Sequence, residues 1–276
     1  MNRFRLVATL FVFLSLCLAT TFTGKAKAEG LEFALDQMPH IVGLGVGMVP
    51  DYEGSDDYTF AVAPFLKWKL QNSEQYVMVK GYEVQANILD HPWLRFGPSL
   101  NYRFGRDDSV DDDVVSKMEE IDGAIEGGAY VGVELIDKTN RRKRFIANLD
   151  FLSDLSNEHD GYTLYLNLRG WYPLSMALDY GAGFSVVYAS ENYMDHYFGV
   201  SKKDSSKTGL PEFDADSGVK DFRINQILVF HLNKQWHIAG GFQYRRLLND
   251  ADDSPIVDKR GSSNQWLGGI GLAYSW

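Results

Sequence analysis

From residue 41 onwards the chain alternates bulky apolar residues with small, polar or charged ones. The segments are about ten residues long and are separated by turn-forming residues. A period of two puts every second side chain on the same face of a β-strand. Residues 41–49 set Val42, Leu44, Val46 and Met48 against Gly43, Gly45 and Gly47. Residues 93–104 set Leu94, Phe96, Leu100, Tyr102 and Phe104 against Arg95, Ser99, Asn101 and Arg103. Residues 219–232 set Phe222, Ile224, Leu228 and Phe230 against Asp221, Arg223 and Asn225. The same pattern predicts strands over 59–70, 144–152, 161–172, 176–189 and 235–248, with Pro64 suggesting a bulge in the first of these. Residues 124–135 alternate less cleanly, and 75–88 lose register near Lys80 and Gly81. The last strand, 263–276, places Ile270, Leu272, Tyr274 and Trp276 on one face and Gly269, Gly271, Ala273 and Ser275 on the other.

Any one such strand would fit a soluble sandwich. Taken together, the strands point to a membrane. Aromatic residues recur near the ends of the apolar faces. Tyr102, Phe104, Tyr162, Tyr172, Tyr188, Trp236 and Trp276 would form two girdles at lipid interfaces. No apolar run after the N-terminal segment is long enough for a membrane helix, so a spanning chain must cross as strands. The expected fold is therefore all-β: an antiparallel transmembrane β-barrel of about twelve strands, or ten, with short periplasmic turns and longer extracellular loops. Counted back from Trp276, the segments 105–123, 153–160, 190–218 and 249–262 all fall at one end, the outside. Bacterial single-chain barrels have an even number of strands, and eleven segments alternate. LEFALDQM (31–38) is the candidate for a twelfth, unless two weak segments do not span. On this count the turn PDYEGSDDY (50–58) faces the periplasm. Outer-membrane barrels end on a strand with a terminal aromatic residue, so Ile270, Leu272, Tyr274 and Trp276 are also expected to form the assembly signal.

The opposite faces carry charge. Lys67, Lys69, Arg95, Arg103, Arg169, Arg223 and Arg245 would meet Glu126, Glu134, Asp150, Asp179 and Asp221 in the interior. That near balance favours a salt-bridged plug over an open pore. Barrel size leaves both open, because twelve strands lie between filled eight-stranded and channel-forming sixteen-stranded barrels.

The N-terminus has a different plan. Arg3 and Arg5 precede an uncharged run over 6–24, and Ala26 and Ala28 occupy the small positions of an A-x-A site. This is the order of a secretory signal peptide over 1–28, with cleavage before Glu29 and a single barrel domain over 29–276. Cleavage removes Cys17, the only cysteine, so no disulfide is expected. It also removes Arg3, Arg5, Lys25 and Lys27 but no acid, deepening a formal charge that is already −10. Nucleic acid is excluded as a partner on that charge.

Candidate chemistry is sparse. His159 (SNEHDGY) and His196 (MDHYF) sit beside acids in loops, where solvation is the expectation, and His231 and His237 fall on inward faces. No nucleophile elbow or triad spacing occurs. The acidic loops RDDSVDDD (106–113) and FDADSG (213–218) lack the Gly and closing Glu of an EF-hand. They read as solvated loops or as divalent-ion bridges to lipid phosphates. No catalytic residue, cofactor or resident metal is expected. PDYEGSDDY reads as a turn, from Pro50, Gly54 and its aspartates.

Four stretches carry a resemblance: GLGVGMVPDYEGSDDY (43–58), FGPSLNYRFGRDD (96–108), IDGAIEGGAYVG (121–132) and RLLNDADDSPIVDKRGSSNQWLGGIGLAYSW (246–276). They resemble the MipA/OmpV family of outer-membrane proteins. The most specific part is the turn with Pro50, Tyr52, Glu53, Gly54, Ser55 and Asp56. The resemblance implies an outer-membrane protein of a Gram-negative bacterium, in contact with lipid and without enzymatic activity. It implies a scaffold that binds a lytic transglycosylase and a peptidoglycan synthase. Other members are described as adhesins or osmotically regulated porin-like proteins. One departure is Trp276, where barrels generally end on Phe.

Overall fold

Residues 38–276 are described in the computed structural model, and they close into a barrel of twelve antiparallel strands, each hydrogen-bonded to its neighbours in chain order. These are β1 (His40–Pro50), β2 (Tyr58–Lys69), β3 (Tyr76–Lys80), β4 (Glu83–Asn87), β5 (Leu94–Arg103) and β6 (Ala124–Ile136). The second half is β7 (Arg144–Asp154), β8 (Tyr162–Pro173), β9 (Leu178–Ala189), β10 (Gly218–His231), β11 (Trp236–Leu247) and β12 (Asn264–Ser275). Two helices, α1 (Glu191–Phe198) and α2 (Lys202–Thr208), lie in the β9–β10 loop.

Closure follows from the alternation. β1 pairs with β2 on one side and β12 on the other, with Leu44 opposite both Pro64 and Leu272, so no position remains for a strand before it. The twelfth strand instead comes from 75–88, which is a hairpin and not one strand. The chain reverses at Gly81, whose φ of 57° is left-handed, and its halves pair from Lys80 and Glu83 to Tyr76 and Asn87. The expected strand over 31–38 is thereby corrected. Its residues 31–37, with Ala26, Ala28 and Glu29, lie outside the described residues.

This split shifts the parity of everything before it. β1 runs from the short-turn end to the long-loop end, and the turn over 51–57 lies with the loops 104–123, 155–161, 190–217 and 248–263. The expectation that PDYEGSDDY faces the periplasm is wrong. One missed hairpin reversed it. The expected bulge at Pro64 is absent too, since β1–β2 register is continuous from His40↔Trp68 to Pro50↔Tyr58. Pro64 sits where β3 ends. Its carbonyl accepts from Gly81 N–H at 2.8 Å, and its missing N–H falls beside the hairpin tip, where no donor is needed. Beyond that point the Tyr82 hydroxyl donates to Val62 C=O at 3.1 Å.

The outward wall is apolar. Leu44, Val46, Phe60, Leu149, Leu228, Phe242, Ile270 and Leu272 are all exposed. At the short-turn end His40, Trp68 and Trp276 cluster, with the tryptophan rings 5.6 Å apart and Tyr274 stacked on Trp276. At the other end Phe151, Tyr162 and Tyr188 form one group and Phe242, Tyr244 and Trp266 another. Two aromatic belts flanking an apolar band are what lipid interfaces select.

Candidate functional site

Among the described residues the wall strands bring their charged and polar side chains together in the lumen, which is layered. At the loop end the 51–57 turn folds inward. Gly54 makes this possible: at φ 104° it adopts a backbone conformation few other residues reach, and a Cβ there would stand 2.5 Å from Val257. Gly54 N–H donates to Gln265 Oε1 at 3.0 Å, Gln265 returns a bond to Ser55 C=O at 2.7 Å, and Ser262 N–H donates to Gly54 C=O at 2.8 Å. Tyr52 is buried with Val110, Val115, Met118, Val200, Leu210 and Ile256, which joins the turn to three other loops. Burial, with Asp112 nearby, pushes its phenol well above the ordinary value. Pro50 and Ser55 are buried, and Asp56 is exposed.

Glu53 is the centre of this layer. Glu53 is 6% exposed, and its carboxylate takes Lys220 Nζ and Arg245 Nη1 on Oε1, the latter at 2.9 Å. The Tyr193 hydroxyl of α1 donates to Oε2 at 3.1 Å. Burial raises that phenol far above its usual range, so it stays protonated and donates. Asp221 lies 2.7 Å from both Lys220 and Arg223. Sequence alternation cannot place Lys220 and Asp221 on the same face. A β-bulge does, because β9–β10 register shifts between Val219 and Asp221, and both side chains become fully buried.

Below lies a polar chamber of about 150 Å³. Gln85 and Asn167 donate to Asp150 at 3.0 and 2.7 Å, while Arg103 pairs with Glu126 at 2.7 Å and reaches Tyr165 OH. The loop histidines differ from expectation. His159 is 4% exposed, with Nε2 3.3 Å from Glu126 and Nδ1 accepting from Gly161 N–H. It is a wedge beneath α1, packed on Tyr193 and Tyr197, not a solvated side chain. His196 stays half-buried 3.7 Å from Glu158, and burial lowers its pKa, keeping it neutral.

An apolar girdle follows. Ile41, Phe65, Met78, Trp171, Ile227, Val229, Ala239 and Ala273 form one buried cluster. Phe65 is on β2 and Trp171 on β8, six strands apart in a ring of twelve, so the cluster bridges opposite walls. This girdle and the loop plug narrow the lumen at two levels, leaving beside the girdle a cavity of about 20 Å³ lined by Met78, Gln85, Tyr130, Ile146 and Arg169.

The short-turn end opens into a vestibule of about 740 Å³. A hydrogen-bonded chain crosses its rim. Ser275 Oγ lies 2.9 Å from His237 Nε2, the two histidine Nδ1 atoms are 2.8 Å apart, and His231 Nε2 is 2.8 Å from Asp179. Arg142 closes it on Asp179 at 2.6 Å. Alternation placed these histidines inward. Only the register of β9 to β12 could make them neighbours.

The acidic loop 106–113 is tied into the plug by its own bonds. Asp112 accepts from Val114 and Val115 N–H and pairs with Arg260 at 2.7 Å, and Asp51 accepts from Asp111 N–H. Among the described residues no group of three or more His, Cys, Asp or Glu could hold a metal ion. In the last strand Ile270, Leu272 and Trp276 turn outward, Ala273 packs in the girdle, and Tyr274 stacks against Trp236.

A closed twelve-stranded barrel with an apolar outer band, two aromatic belts and a loop-plugged lumen is a transmembrane β-barrel of the outer-membrane type. The chain belongs to the family described as MltA-interacting protein MipA, whose model matches residues 42–276. Outer membrane protein OmpV of Vibrio cholerae is 35% identical over 124 residues, which is 45% of this chain and 46% of that protein. The MltA-interacting protein of Escherichia coli K12 is 30% identical over 96 residues, 34% of this chain and 36% of that one. The chain thus matches less than half the length of these curated relatives. Among solved structures, the translocator domain of autotransporter NalP from Neisseria meningitidis superposes with a TM-score of 0.41 at 10% identity, covering 99% of this chain and 98% of that one.

Proposed function

We propose that this protein is a non-catalytic scaffold of the outer membrane that holds enzymes of wall remodelling, a lytic transglycosylase and a peptidoglycan synthase, at its periplasmic face. The observation that carries this reading is the obstructed lumen. Among the described residues, a girdle joining β2 to β8 and a plug centred on Glu53 fill the lumen at two levels, which weighs against a porin or osmotic channel. The chamber's carboxylates are occupied by neighbours, Asp150 by Gln85 and Asn167 and Glu83 by Lys80 at 3.5 Å, which favours a structural role for them over catalysis. The name of the Escherichia coli relative supports the choice of partner. The test is retention of a purified MltA-type transglycosylase by the detergent-solubilised barrel, run beside single-channel recording in planar bilayers. Retention without steady conductance is the expected result. Failure to retain the enzyme, or steady unitary currents, overturns the reading.

A further inference from the structure

The vestibule at the short-turn end, which faces the periplasm in barrels of this type, carries more positive charge than its own acids can neutralise. Among the described residues, seven lysines and arginines line it against three carboxylates. Each carboxylate is already engaged. Glu74 pairs with Lys69 at 2.8 Å, Glu134 is held between Arg95 and Arg144 at 2.8 and 2.7 Å, and Asp179 takes Arg142 and His231. Lys67 lies over the Tyr76 ring at 4.7 Å. Arg141 and Lys234 remain. Among the described residues neither side chain has a hydrogen-bond acceptor or ion-pair partner, and both are exposed at the rim.

These cations converge from separate parts of the ring. Lys67 and Lys69 come from β2, Arg141 from the β6–β7 turn and Lys234 from the β10–β11 turn, about a third of the circumference apart. Like charges gathered at the mouth of a low-dielectric cup focus a positive potential into it. The cup also has apolar wall: Met38, Pro39, Ile136, Met176 and Ala177. A bare inorganic anion would leave that surface uncovered. A ligand with spaced carboxylates on a small apolar frame would cover it, and the volume suits a molecule of a few hundred daltons.

We infer that the vestibule is a binding site for a short acidic peptide. Its carboxylates sit between Arg141 and Lys234, and its backbone and small side chains lie against Met176 and Pro39. The proposal goes beyond the scaffold reading and is independent of it, since a free peptide can bind whether or not an enzyme does.

The test uses the full folded barrel in neutral detergent and a fluorescent tetrapeptide, Ala-Glu-Glu-Ala, with Ala-Gln-Gln-Ala as its uncharged twin, read by anisotropy. The acidic peptide should bind about tenfold or more tighter than its twin, and raised salt should weaken it. Arg141→Ala with Lys234→Ala should cost about tenfold in affinity, because both charges act without internal partners to hold them. These are exposed turn residues, and retained heat-modifiability would show that the variant is folded. Lys259→Ala, a charge removed at the loop end, should leave affinity unchanged. Equal binding of the two peptides overturns the proposal, as does an unaffected double variant. Displacement by inorganic phosphate as effective as by unlabelled peptide overturns the peptide class and leaves a simple anion site.

Discussion

Replacing Glu53 by glutamine tests the plug directly. Three cations, Lys220, Arg223 and Arg245, face two carboxylates, Glu53 and Asp221, in a layer where Lys220 and Asp221 are wholly buried. The amide keeps the shape of the side chain but removes one of the two negative charges, so three cations are left with Asp221 alone. Removing one partner of a buried pair costs about 3–5 kcal/mol, mostly because the other charge is stranded. Lys220 still has Asp221 at 2.7 Å, which places the expected loss near the low end, about 3 kcal/mol. The loss should fall first on the plug. The 51–57 turn and α1 should become accessible to protease while the wall stays assembled, and the midpoint for loss of the compact gel form should drop. Adding Lys220→Met removes the stranded cation and should recover part of the loss. The coupling in this double-mutant cycle should be about 0.5–3 kcal/mol. If Glu53→Gln leaves the midpoint and protease pattern of the parent protein, or if Lys220→Met worsens it additively, the ionic core does not hold the plug.

The wall and the loops set three further expectations. Leu149→Arg puts a charge on the lipid face at mid-strand, opposite Val131 and Leu166, and should cost about 2–4 kcal/mol of folding into vesicles; the lumenal change Asn225→Ser loses one hydrogen bond with Gln243 and should cost about 1 kcal/mol, so equal losses would contradict the assigned faces. Burial works to raise the Asp112 pKa, but Arg260 and the Val114 and Val115 N–H groups prevail and hold it below the usual carboxylate value. A depressed folded pKa means its stabilisation is complete at neutral pH and is lost only as pH falls through that depressed value. The 105–121 loop should therefore resist protease at pH 7, loosen only in acid below the ordinary carboxylate range, and already be loose at pH 7 in Asp112→Asn; identical digestion of both proteins at every pH would rule this out. Deleting Trp276 uncovers Trp68 and His40 at the belt and should lower outer-membrane levels sharply, as measured in fractionated envelopes, whereas normal levels would remove the proposed role of Ile270, Leu272, Tyr274 and Trp276 as an assembly signal.

Alternation along the chain was sufficient for the class of fold, because side-chain facing in a strand depends only on the residue's own parity. It placed Leu44, Leu149 and Leu272 outward, and Arg103, Glu126, His231 and His237 inward, without reference to any partner. The long loops were legible for the same reason, since their lengths are a property of the chain. The expected count of twelve strands agrees with the barrel, but the place of the twelfth was not legible. The reversal at Gly81 is a two-residue event between Lys80 and Glu83, and the loss of register there does not by itself tell a hairpin from an irregularity within one strand. The error then passed to the side on which Glu53 lies. Three other features depended on strand register or loop closure, which no local pattern contains. The bulge at Lys220 brings two consecutive residues to one face. The chain from Ser275 to Asp179 needs β9, β10, β11 and β12 aligned to the residue. His159 is buried because α1 closes over it. Parity is local and written in the sequence; register, bulges and loop closure are settled by pairing between residues far apart in the chain, and only the closed barrel supplies those partners.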